Sequence, residues 1–69
     1  MNNANATAAK IIVNTALETM AAQAKVHPSA ILAQVMADPT GATARRFSDL
    51  IRIGKEAMSE AMAEMAAAA

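Results

Sequence analysis

The segment from Ala42 to Met65 constrains this chain most, because its apolar side chains keep a helical period over roughly five turns or more. At 100° per residue from Arg45, the positions Phe47, Ile51, Gly54, Met58, Met62 and Met65 fall within an arc of about 80°. Arg45, Asp49, Arg52, Glu56, Glu60 and Glu64 take the opposite side, so the pattern predicts a long amphipathic helix with one continuous apolar seam. On the polar side the like charges of Glu56, Glu60 and Glu64 repel by roughly a few tenths of a kcal/mol per pair, and Arg52 four residues before Glu56 offsets part of that.

Two breaks divide the rest of the chain. Pro28 lacks a backbone donor and pushes His27 out of helical geometry, yet it suits the first position of a new helix. The run Asp38-Pro39-Thr40-Gly41 is a strong turn signal, since proline sets one dihedral and glycine tolerates positive φ. The expected fold is therefore all-α, with helices at about 7–25, 28–37 and 42–66. Thr7 is the expected cap of the first, and Thr40 or Thr43 of the third. Residues 1–5 are polar and aperiodic, which predicts a disordered N-terminus ahead of a single small helical domain, 6–69. On the first helix Ala9, Val13, Ala16, Leu17, Met20 and Ala24 share a face, and on the second Ile31, Leu32, Val35 and Met36 form a narrow stripe.

These lengths do not match. At 1.5 Å per residue the third helix spans about 35 Å, against about 28 Å and about 15 Å for the other two. Of 69 residues 55% are hydrophobic, but 20 are alanines, so few bulky side chains are left to build a core. Chains this short rarely keep more than about 3–5 kcal/mol from one core without a staple. With no cysteine, a disulfide is excluded. Oligomerisation remains, and the expectation is a helical homodimer joined along the seam by Phe47, Ile51, Gly54, Met58, Met62 and Met65. A glycine inside a helix costs about 1 kcal/mol relative to alanine. Beside Ala57 and Ala61, Gly54 is expected to repay that cost by letting a second helix approach closely.

Composition narrows the chemistry. Six basic and six acidic residues balance, so no basic field for non-specific nucleic-acid binding exists. The longest uncharged apolar stretch, 26–37, has 12 residues where a membrane span needs about 20. A signal-like reading of Lys10, Ile11-Ile12-Val13 and Ala22-Gln23-Ala24 is interrupted by Asn14, Thr15 and Glu18, and a cytoplasmic protein is expected. One histidine, no cysteine and no tyrosine leave no set of acid, base and nucleophile, so no enzyme, cofactor or metal site is expected. His27 reads as a capping or surface residue. The Glu56, Glu60, Glu64 ladder faces away from the seam and lacks the Glu-x-x-His pairs of a metal-holding bundle.

Two surfaces suggest function. Arg46, Leu50, Ile53 and Ala57 form a strip at about 80–140° on the same wheel, beside the seam. Arginine and large apolar groups concentrate interface energy, so this strip is the expected anchor for a larger target protein. That makes the chain a small homodimeric interaction module, a regulator or inhibitor of the antitoxin, anti-activator or phage-modulator type. The alternative lies in residues 17–37. The run from Met20 to Ile31 has a small residue in the first helix, Val26 past the turn and Ile31 inside the second. It resembles the helix-turn-helix of small bacterial repressors. This resemblance implies DNA binding, with Ser29 and Gln34 reading bases and Arg45 and Arg52 reaching phosphates. Lys25 stands where the motif usually has its turn glycine, Gln34 where it buries an aliphatic residue, and Pro28–Ala37 carries no cation.

Overall fold

A computed structural model describes residues 3–68 of the chain as three α-helices: α1 (Asn3–Ala24), α2 (Pro28–Ala37) and α3 (Ala42–Ala68). Among the described residues there is no strand. Helix α1 starts earlier than the apolar pattern predicts. Thr7 lies inside it rather than capping it, and residues 3–5 of the stretch expected to be disordered are helical. Residues 1 and 2 of that stretch lie outside the described residues. The cause is propensity: Ala4, Ala6, Ala8 and Ala9 extend a helix without needing a buried face.

The chain leaves α1 through Lys25, whose φ of 60° is left-handed. Val26 N–H donates to the Ala21 carbonyl at 3.0 Å and Lys25 N–H to the Ala22 carbonyl at 3.3 Å. This pair of bonds is the Schellman ending, in which the left-handed residue is usually glycine. Two residues later His27, extended at φ −72° and ψ 144°, caps α2. Its Nδ1 accepts from Ser29 N–H at 3.1 Å and lies 2.9 Å from Ser29 Oγ. Pro28 occupies the first turn, as expected. Helix α2 closes where Asp38 N–H donates to the Gln34 carbonyl at 3.0 Å, and Gly41 N–H then donates to the Asp38 carbonyl at 3.1 Å. The first bond of α3 runs from Arg45 N–H to the Gly41 carbonyl at 3.0 Å. The cap position therefore falls on Gly41 and not on Thr40 or Thr43. A Cβ on Gly41 would meet the carboxylate of Asp38, the free end of an exposed side chain that can swing aside, and Gly41 does not take the positive φ that its place in the turn allowed.

All three helices contact one another. Leu17, Met20 and Ala21 of α1 and Ile31 of α2 make the buried cluster, with Val13, Val35, Phe47 and Leu50 packed against it. Ala16 and Ala44 are also buried. Part of each expected face is not used: Ala9 and Ala24 on α1, and Leu32 and Met36 on α2, are exposed. The core occupies one end of the molecule, where α2 crosses the α1/α3 pair. Beyond it α1 and α3 continue side by side and antiparallel, with Ile12 against Gly54 and Ala8 and Ala9 alongside Met58, Ser59 and Met62. The result is elongated, 43 × 26 × 21 Å with a radius of gyration of 13.9 Å. A compact 69-residue domain would have a radius of about 11 Å.

Candidate functional site

Beside the core, and sharing Ala16 and Leu50 with it, the α1/α3 pair forms an open groove of about 450 Å³. Its α1 rim is Ile11, Thr15 and Thr19, spaced by one helical turn each, and its α3 rim is Ile53, Ala57 and Ala61. Between the rims the floor is Ile12, Ala16, Leu50, Gly54 and Met58, all buried or half-buried. Apart from the two threonine side chains the lining is apolar, so water in the groove has few partners and its displacement is favourable. On the far side of the helix pair a shallower hollow of about 340 Å³ runs past Lys55, Met58 and Met62.

The geometry of the groove depends on one close approach. A Cβ placed on Gly54 would stand 2.9 Å from Ile12 Cγ2 and 3.5 Å from Ile12 Cγ1. Gly54 was expected to admit the helix of a second copy. In the structure the helix that uses this gap is α1 of the same chain, because α1 reaches far enough along α3 to place Ile12 there. The seam is consequently split. Phe47 packs on the buried cluster, Ile51, Gly54 and Met58 are half-buried, and only Met62 and Met65, 61% and 72% exposed, remain outside.

The strip expected to bind a target falls differently. Leu50, Ile53 and Ala57 all line the groove, Leu50 from its floor and the other two from its rim, while Arg46 is exposed outside the lining. Ile53 on α3 and Ile11 on α1 face each other across the opening as its bulkiest rim residues, 50% and 52% exposed. The whole α1 rim was missed by sequence reasoning. Thr15 and Thr19 hide the periodicity, since threonine does not count as apolar although its methyl packs as one.

The residues assigned to DNA binding do not form one surface by any contact between them. Ser29 is occupied in the α2 cap, and Gln34 and Arg45 are exposed. Arg52 sits between two carboxylates, 3.9 Å from Asp49 Oδ1 and 3.5 Å from Glu56 Oε1. These ion pairs are exposed and weak, yet they neutralise the cation locally. Among the described residues no helix is long and apolar enough to cross a membrane. Compared with protein-family models, curated proteins and solved structures, the chain matches none.

Proposed function

We propose that this chain is a small helical protein–protein interaction module, acting as a homodimer that regulates a larger target by occupying its surface. One observation carries the reading. A compact monomer of 7.1 kDa exposes about 4,100 Å², whereas this chain exposes 5210 Å². Among the described residues the large apolar side chains that are buried are Leu17, Met20 and Ile31, while Ile11, Val26, Leu32, Met36, Ile53, Met62 and Met65 are exposed. Ile11 and Ile53 share one groove and Met62 and Met65 one end of α3, and apolar surface gathered in this way supports an interface. The antitoxin, anti-activator and phage-modulator types all meet this description, and none requires catalytic groups. Light scattering at micromolar concentration tests the assembly. A mass of twice 7.1 kDa is expected, and a monomer at every concentration refutes the homodimer.

A second reading, a helix-turn-helix DNA binder through residues 17–37, is favoured by one feature. Lys25 adopts the left-handed turn conformation for which that motif uses glycine. Against it stand a second helix without cations and an Arg52 already engaged. Binding to random duplex that falls steeply with added salt would establish this reading, and no binding at low salt would remove it.

A further inference from the structure

We infer that the occupant of the α1/α3 groove is a second copy of this chain, its α3 laid antiparallel along the first with Ile53 at the twofold axis. This rests on the interaction-module reading and assigns the groove within it. The first support is charge. Arg46, Ile53 and Glu60 are seven residues apart in turn, so they lie on one stripe of α3 with a drift of only about 20° per step. Glu60 and Arg46 therefore flank Ile53 at equal distances of about 10.5 Å along the helix. Neither belongs to the ion pairs of Arg52.

Turning a second helix end for end about Ile53 sets each Arg46 opposite the other copy's Glu60, twice over, with the two Ile53 side chains meeting at the centre. Leu50 and Ala57, on either side of Ile53, complete the apolar contact. A parallel pair would instead stack Arg46 on Arg46 and Glu60 on Glu60, an arrangement that like charges oppose. Of the two orientations only the antiparallel one brings Arg46 and Glu60 together, and it does so twice, as the symmetry of an isologous interface requires.

The second support is where the exposed apolar bulk lies: Ile53 and Ile11, 50% and 52% exposed, line the same groove, so one partner helix covers both. Closing the groove covers Ile53 and the facing Ile11 together and joins α1 and α3 of both copies into a four-helix arrangement. Met62 and Met65 stay outside it, as an adaptable apolar end for the larger target.

The chain has no cysteine, so disulfide trapping reads the geometry directly. Ile53→Cys, exposed and away from the core, should give a covalent dimer on mild oxidation, because residues on the axis bring their Cα atoms within the roughly 7 Å a disulfide needs. Arg46→Cys and Glu60→Cys should each stay largely uncrosslinked alone, since the like positions lie about 21 Å apart, and should crosslink when mixed. In solution Arg46→Glu should raise the dimer dissociation constant about tenfold, and adding Glu60→Arg should restore it. A dimer by light scattering that traps through Met62→Cys or Met65→Cys but not Ile53→Cys overturns the inference and leaves the interaction-module reading standing. Failure of Glu60→Arg to rescue Arg46→Glu also overturns it. A chain that is monomeric throughout removes both.

Discussion

Replacing Gly54 by alanine sets two effects of similar size against each other, and the structure says which residue decides between them. Alanine in a helix interior is worth about 1 kcal/mol over glycine. The new Cβ, however, would lie 2.9 Å from Ile12 Cγ2, inside the roughly 3.5–4.0 Å of a relaxed carbon contact. Ile12 cannot yield cheaply. Its Cγ2 is attached directly to a branched Cβ whose χ1 is nearly fixed in a helix, so relief requires an unfavourable rotamer or a shift of α1. Such overpacking costs about 1–3 kcal/mol. Gly54→Ala is therefore expected to be neutral to destabilising by about 2 kcal/mol, although the exposed rim beside it would welcome alanine. In an Ile12→Ala background the obstacle is gone, and the same substitution should stabilise by about 1 kcal/mol. The coupling, about 1–3 kcal/mol, is measured by urea unfolding of the four variants at one fixed chain concentration, so that the proposed self-association contributes equally to all four. Far-UV circular dichroism is the suitable probe, since the chain has neither tryptophan nor tyrosine. Equal gains in both backgrounds would show that α1 does not pass over Gly54 as described.

Lys25→Gly should stabilise by about 1 kcal/mol in the same unfolding assay, by relieving a side chain held at a φ of 60°. His27→Ala removes the acceptor for Ser29 N–H and should cost about 1 kcal/mol, with His27→Asn recovering most of it; equal losses in both would deny the capping role. Ile31→Ala, at the buried junction of α2 with the helix pair, should cost about 2–5 kcal/mol and leave little helical signal at 37 °C, because among the described residues only two other large apolar side chains, Leu17 and Met20, are buried with it.

The helical class, the three elements and their breaks were legible because each follows from local chemistry. Pro28, the Asp38–Gly41 turn and the period of α3 act over a few residues and need no partner to be read. The start of α1 was misplaced because alanine extends a helix by propensity while adding almost nothing to an apolar pattern. The site was legible in half: Leu50, Ile53 and Ala57 stood out on the α3 wheel, but their opposite wall of Ile11, Thr15 and Thr19 did not.

What the sequence by itself determined is that the chain is helical, uncharged overall and short of bulky core residues for its length. Only the tertiary structure decided where that shortage shows. Periodicity says which side chains share a face, but not which neighbour claims it, because that depends on how far each helix runs and the direction in which it crosses the next. Here α1 lies antiparallel on α3 far enough to put Ile12 on Gly54, so the inner seam is spent within the chain, and the apolar surface left over is the groove beside it and the methionine end beyond.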